Sequence, residues 1–203
     1  MSIWLLRHGE TLLNAAGRLQ GWSDAPLTAR GHAQARERGL ALADAGVRFD
    51  AAFSADGIRH RETARGVLDA MDDRMPAHPD PRWRELCFGA WEGARGRRFG
   101  RLLREHGDLL PALESLSAAE VGAEHPDVVV SRSLAALTDA AEASDDGADV
   151  LVVTSGLTIM LLLNAIGADL SHLNAGPGHL SISTVRPAGT GSWVVERAVV
   201  DAL

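Results

Sequence analysis

Residues 3–10 read Ile-Trp-Leu-Leu-Arg-His-Gly-Glu, and the fold turns on this stretch. Ile3–Leu6 is apolar throughout, without the polar alternation of a half-exposed strand, so it predicts a strand covered on both faces. It runs directly into Arg7-His8-Gly9, where a permanent cation and an imidazole stand beside a glycine that lets a ligand approach the backbone. In open sheets flanked by helices, ligands bind beyond the carboxyl ends of the strands, which is where these three residues fall.

The rest of the chain supplies the partners of that strand. Thr28 has the character of a helix N-cap, and Ala29 to about Ala43 is rich in good helix formers. Ala51–Ser54 reads as a second strand, followed by a helix from about Ile58 to Met71. Val150–Thr154 is the clearest strand, closed by Ser155-Gly156 and followed by the apolar helix Leu157–Ile166. Leu180–Val185 and Trp193–Val199 read as two further strands, with a hairpin at Pro187–Gly191. This order predicts an α/β protein of three layers, a mixed and mostly parallel sheet flanked by helices, forming a single domain over residues 1–203. A helical lid is expected at about 94–146. His8, Ser54 and Ser155 all fall at or just after strand ends, which predicts one site.

Composition narrows the function classes. The 203 residues are 46% hydrophobic and 23% charged, with a formal charge of −7, which gives no support to nucleic-acid or membrane binding. Cys87 is the one cysteine, so no intramolecular disulfide can form, and a cytoplasmic location is the default expectation. Ser2–Leu6 is too short for a signal-peptide core, and Leu157–Ile166 is far short of the roughly 20 residues of a membrane span.

Further ordered motifs follow Arg7–Glu10. They are Asn14, Gly17-Arg18-Leu19-Gln20-Gly21, Asp24–Thr28 with Gly31 and Gln34-Ala35, Ser54–Ala64, and Glu85 with Phe88–Gly93. Together they resemble the histidine phosphatase superfamily, which includes cofactor-dependent phosphoglycerate mutases and many small-molecule phosphatases. The stretch Ser54–Ala64 is similar to that family's Ser-Ser-Pro-Leu-x-Arg-Ala-x-Gln-Thr-Ala. The resemblance implies a phosphoglycerate mutase-like fold and a phosphoryl group carried on His8. It places the phosphate-binding arginines at Arg7 and Arg59 and the general acid at Glu85. Asn14 adds a donor; Gln20 and Gly21 are open between substrate contact and a solvated turn. Neither metal nor cofactor is implied. The expected partner is a small phosphorylated molecule, and the oligomeric state is left open, a homodimer included.

The chemistry of these residues is coherent by itself. Arg7 and Arg59 can each offer a two-pronged fork to a phosphate dianion, which lets a neutral His8 attack phosphorus. Glu85 can protonate the leaving group and then activate water. One position departs from the family pattern. Where relatives carry Ser-His-Gly-Gly after the strand, this chain reads Thr154-Ser155-Gly156-Leu157, so the second histidine aligns with Ser155. Ser155 can still donate one hydrogen bond to a phosphoryl oxygen, beside Gly156 and a helix N-terminus that favours anions; its alternative is to cap that helix. Two functions follow: a phosphomonoester hydrolase working through phosphohistidine, or a degenerate relative that binds phosphorylated ligands or partners. Mutase activity is disfavoured, because residues 94–149 show no dibasic clamp for a second anionic group. His60, His78 and His106 read as surface residues. Gly122-Ala123-Glu124-His125 with Arg132 loosely resembles the family's Gly-Gly-Glu-Ser…Arg segment, so His125 either approaches the site or is an exposed loop histidine, the second being the preferred reading. Arg95, Arg97, Arg98, Arg101 and Arg104 either attract anionic substrates or coat a solvated helix. Trp22, Trp83, Trp91 and Cys87 read as packing.

Overall fold

In the computed structural model, which describes residues 1–119, 121–145, 147–170, 176–189 and 191–201, the two apolar runs become neighbouring central strands. Strand β1 (Ser2–Arg7) lies parallel to β4 (Asp149–Thr154) from Ser2↔Asp149 to Arg7↔Thr154. Parallel strands are buried on both faces, and both sequences obey a period of two within their apolar runs. Ile3, Leu5, Val150 and Val152 face one core cluster, while Leu6, Leu151 and Val153 face the other.

Four more strands complete a six-stranded sheet: β2 (Ala51–Ser54), β3 (His78–Pro79), β5 (Ile182–Pro187) and β6 (Trp193–Val200). Their order is β3-β2-β4-β1-β5-β6. The first four strands in that order run parallel, and β5 and β6 are antiparallel additions at one edge. The sheet is therefore mixed and mostly parallel, as expected. Residue 190, within the expected hairpin turn, lies outside the described residues.

Helices α2 (Ala29–Asp44) and α3 (Ile58–Ala70) cover one face through Ala35, Leu42, Ala64, Val67 and Leu68. Helices α6 (Pro126–Glu142) and α7 (Gly156–Ala165) cover the other through Ala136, Leu137, Ile159, Leu162 and Leu163. Thr28 caps α2 by accepting from Gly31 N–H. The short helix α1 (Leu12–Ala15) follows the β1 loop and is closed by a capping box between Thr11 and Asn14.

The expected lid region divides in two. Helices α4 (Gly96–His106) and α5 (Leu109–Ala118) pack with Leu86, Phe88 and Leu161 in a third apolar cluster away from the sheet. Helix α6, which falls in the same expected lid, lends Val129 to that cluster and covers the sheet through Ala136 and Leu137. An apolar helical face is stabilised by the largest apolar surface within reach, and for α6 that surface is the sheet. Residues 120 and 146 of this region lie outside the described ones. No helix among the described residues is long and apolar enough to cross a membrane.

The α2–α3 contact holds the helix that carries Arg59. It is close because Gly39 of α2 lies on α3: a methyl there would come within 2.3 Å of Val67 O and 2.7 Å of Ala70 Cβ. Alanine is the better helix former by about 1 kcal/mol, but forcing two packed helices apart costs about 1–3 kcal/mol. Overpacking wins, so Gly39→Ala should lower the melting temperature; an unchanged or raised value would show that the two helices can separate without loss.

Candidate functional site

The register of β1 on β4 decides the centre of the site. Arg7 and Thr154 are partners, so the next residues, His8 and Ser155, leave adjacent strands at the same level. His8 N–H continues the ladder to Thr154 O at 3.0 Å, and Gly9 N–H is held by Thr63 Oγ1 at 3.0 Å, which ties the loop to α3. His8 is buried, with Nδ1 2.8 Å from the carbonyl of Gly9. A carbonyl can only accept, so Nδ1 carries the proton and Nε2 keeps its lone pair. Burial, then the nearby Arg59, pushes His8 well below the ordinary imidazole pKa, which keeps the ring neutral.

Arg59, which the resemblance places among the phosphate-binding residues, is only 2% exposed. Its Nη2 donates to Gly21 O at 2.7 Å and its Nη1 to Ser23 O at 3.1 Å, with Asp24 Oδ1 at 3.4 Å. Asp24 also accepts from Ile58 N–H at 2.6 Å, supplying the N-terminal cap that Gly57 lacks. The loop offering these carbonyls is gathered by Glu92, which accepts from the N–H groups of Gly21, Trp22 and Ser23. Gly21 thus spends its N–H on Glu92 and its carbonyl on Arg59. A side chain at 21 would meet Leu86 O at 2.2 Å.

Arg7 donates through Nη1 to Pro177 O. Gly156 lies against it, and a methyl at 156 would approach Arg7 Nε to 3.4 Å. The Nε atoms of Arg7 and Arg59 and the amide nitrogen of Gln20 are buried without a hydrogen-bond partner among the described residues. Three donors of this kind suit an oxyanion. Gln20 is oriented by Thr11, whose hydroxyl donates to Gln20 Oε1 at 2.6 Å. Asn14 Oδ1 accepts from Thr11 N–H at 3.2 Å and pairs with His179 Nε2 at 3.1 Å, leaving the Asn14 amide N–H groups for other partners.

His179 was not anticipated from sequence. It stands just before β5, where Leu180 adopts a left-handed backbone (φ 59°), and its ring centroid is 6.0 Å from that of His8. Burial first, then Arg7, lowers its pKa to about 4.

Glu85 is buried and sits on the N-terminus of α7, from another part of the chain. It accepts from Leu157 N–H, Thr158 N–H and Leu86 N–H at 3.0, 3.0 and 2.9 Å. Thr158 Oγ1 is 2.9 Å from Arg84 O and 3.2 Å from Glu85 Oε1. The hydroxyl has one proton, and both the Arg84 carbonyl and the Glu85 carboxylate can accept it. The Glu85 backbone is fastened by Arg132, which donates to the carbonyls of Arg82, Arg84 and Glu85 and pairs with Glu124 at 2.8 Å. Arg84 forks onto Asp56 at 2.7 and 2.5 Å, which fixes this segment to the start of α3.

Two readings from sequence are corrected. His60 is not a surface residue: it is 1% exposed, its Nε2 lies 2.7 Å from Ser155 Oγ, and its ring stands edge-on to His8 at 5.2 Å. Position 60 lies one step beyond Arg59 on α3 and turns inward with it. Ser155 is fully buried and does not cap α7, since its side chain makes no capping hydrogen bond and Glu85 takes the N–H groups instead. His78 and His106 are exposed as expected. His125 is exposed and caps α6 by accepting from Asp127 N–H at 3.2 Å. Arg95, Arg97, Arg98, Arg101 and Arg104 are all exposed, with Arg98 stacked on Trp91 at 3.8 Å.

The sequence model of the histidine phosphatase superfamily, branch 1, matches residues 3–200. The chain belongs to this superfamily. Among its relatives, the adenosylcobalamin/alpha-ribazole phosphatase of Salmonella typhimurium is 38% identical over 109 residues, 54% of this chain and 47% of that protein. The matched part therefore spans about half the length of that relative. The structure of a phosphoglycerate mutase from Bacillus anthracis superimposes with a TM-score of 0.85 at 29% identity, covering 97% of this chain and 92% of the other. A mycobacterial glucosyl-3-phosphoglycerate phosphatase, at 21% identity and a TM-score of 0.77, covers 98% of this chain and 99% of its own and shares the fold. The histidine phosphatase superfamily thus accounts for the phosphoglycerate mutase-like architecture, with both phosphatases and mutases among the relatives.

This member carries three buried or half-buried imidazoles whose pKa values lie below the ordinary 6.5. Each binds a proton more readily in the unfolded chain than in the fold. Their contribution to stability is complete above pH 6.5 and is lost as the pH falls, down to about 4 for His179. The melting temperature should drop across that window, and His179→Gln should make the drop shallower. Parallel curves for the two proteins would show that His179 binds its proton equally well folded and unfolded.

Proposed function

We propose that this chain is a histidine-type phosphomonoester hydrolase acting on a small phosphorylated molecule. The observation that carries the reading is the lone pair of His8 Nε2, oriented by the Gly9 carbonyl and set beside two arginines whose buried Nε–H groups lack partners among the described residues. The Nε2 lone pair attacks phosphorus, a P–N bond forms, and the P–O bond to the alcohol breaks. The departing alkoxide takes a proton from Glu85. Water then attacks the phosphohistidine while Glu85 recovers a proton from it; the P–N bond breaks and its electrons return to Nε2. The products are the free alcohol and inorganic phosphate. Charge on the transferring group is met by the guanidiniums and by Asn14 and Gln20, so the scheme calls on no metal.

Hydrolysis rather than transfer between two carbon-borne groups is favoured by the composition of α4: Arg97, Arg98, Arg101 and Arg104 are exposed, and among the described residues none of these four shares a hydrogen bond with the His8 pocket. The second reading, a binding protein without turnover, rests on Ser155 alone.

Labelling with an isotopically marked phosphate ester should give an acid-labile, base-stable adduct on His8 that is absent from His8→Ala. Turnover that survives His8→Ala would remove the phosphohistidine.

Arg59 makes a second test. Arg59→Ala should lower kcat/KM by about 10²–10³, the loss typical of one charge-stabilising donor in a dry site. Arg59→Lys should recover only part, because an ammonium cannot hold both the Gly21 and Ser23 carbonyls and still reach the phosphoryl group. Rates and phosphate affinity unchanged in both variants, with the fold intact by circular dichroism, would place Arg59 outside the reaction.

A further inference from the structure

Gln20 is buried with its amide nitrogen unmet among the described residues, and one neighbour decides which end of that amide faces the site. The two ends have the same shape, so only their partners tell them apart. The backbone on either side of Gln20 is already held: Leu19 N–H donates to Ala94 O at 2.8 Å, and Gly21 is shared between Glu92 and Arg59. The freedom that remains belongs to the side chain, and Thr11 removes it. Thr11 Oγ1 accepts from Asn14 N–H at 3.1 Å and has one proton to give. That proton goes to Gln20 across 2.6 Å, where only the amide oxygen can receive it. Gln20 Nε2 is thereby turned away from Thr11.

Thr11 is placed for this by its own surroundings. It is fully buried, bridges antiparallel to Leu27, and is followed by Leu12, whose N–H donates to Pro26 O at 3.2 Å. Its own N–H donates to Asn14 Oδ1 at 3.2 Å. One residue, three positions after His8, thus takes the oxygen ends of two amides and leaves their nitrogens for another acceptor. Burying an N–H without an acceptor costs free energy, and an oxyanion set against it removes that cost on binding. The Nε groups of Arg7 and Arg59 are unmet in the same way. A reversed Gln20 would instead present a carbonyl lone pair to the anion.

We propose that Thr11 is a positioning residue that acts through Gln20: its hydroxyl holds the amide with Nε2 turned into the phosphoryl pocket, ready to donate to the group in transfer to His8. The amide is then set before substrate arrives and need not choose between its two ends during the reaction. The same hydroxyl caps α1 through Asn14 N–H, so the two roles have to be separated by experiment. Asn14 is held by the Thr11 backbone, which a change of side chain leaves in place. This inference rests on the phosphatase reading of the same site.

The test uses p-nitrophenyl phosphate with five variants: Thr11→Val, Thr11→Ser, Gln20→Met, Gln20→Glu and the double Thr11→Val/Gln20→Met. Thr11→Val, which keeps the shape and removes the hydroxyl, and Gln20→Met should each lower kcat/KM by about tenfold, the worth of one hydrogen bond. Thr11→Ser should retain most of the activity. The double variant should be no slower than the slower single one, because both remove the same donor from the pocket. Gln20→Glu, which sets an oxygen where the nitrogen stands, should fall furthest. Losses that multiply in the double variant, a Thr11→Ser as slow as Thr11→Val, or a Thr11→Val with unchanged kcat and KM and only a lower melting temperature would reduce Thr11 to the cap of α1. If the wild-type protein does not turn over the ester, the hydrolase reading falls, and orthovanadate binding by calorimetry on the same variants decides the inference separately. Weakening by Thr11→Val that disappears in the Gln20→Met background supports it. The same weakening in both backgrounds, no weakening, or no binding of orthovanadate by the wild-type protein overturns it.

Discussion

A guanidinium cannot be removed from water without donors and charges being met, and the burial of Arg59 is the constraint on which the site depends. Burial pulls its pKa below the usual value, while Glu85, Asp24 and Glu92 pull it back. The carbonyls of Gly21 and Ser23 take its Nη protons, and these carbonyls are available because Glu92 collects the N–H groups of the same loop. Three distant pieces of chain, residues 20–24, the start of α3 and the segment around Glu85–Glu92, are thereby held to one another around a single cation. A charge stabilised in this way cannot easily reorganise, and a fixed cation is what a phosphoryl group in transfer requires.

The second principle of the site is neutrality of its imidazoles. His8, His60 and His179 lie close to two arginines, and cation–cation repulsion adds to burial in keeping all three unprotonated. Each ring then has one donor and one acceptor, and each proton can be placed from its neighbours. His8 gives its Nδ1 proton to Gly9 O and keeps a lone pair on Nε2; His179 gives its Nε2 proton to Asn14; the Gly57 carbonyl draws the His60 proton to Nδ1, which leaves Nε2 beside Ser155 Oγ. Nucleophile, amide and hydroxyl are oriented by the same device.

Glu85 shows how one residue serves two levels of structure. It takes the place of a local cap for α7, which frees Ser155, and its segment is fixed by Arg132 below and by the Arg84–Asp56 fork beside it. Release of Ser155 from capping α7 is thus linked to the position of Glu85 at the helix end. The Glu124–Arg132 pair contributes by clamping the backbone of this segment, while His125 stays outside as a helix cap.

The strands β1, β2 and β4 and the helices that follow them were legible in the sequence, because local rules govern them, and the same rules picked out His8, Arg59 and Glu85 as candidates for one site. A buried parallel strand needs an unbroken apolar run, a cap needs a hydroxyl, and the motifs around His8 and Arg59 are contiguous. What the sequence could not decide were the contacts made between distant segments. His60 read as a surface residue because its helix offers no periodic signal that distinguishes a buried imidazole from an exposed one; its place follows from sharing an inward turn with Arg59 and facing the end of β4. His179 is separated from His8 by most of the chain and meets it only because β5 pairs with β1. Ser155 alone reads as a loss or as a helix cap. Only the tertiary structure, by bringing Glu85 to the helix end and His60 to the hydroxyl, assigns it a different partner, since which donor meets which acceptor depends on distances that chain order does not contain.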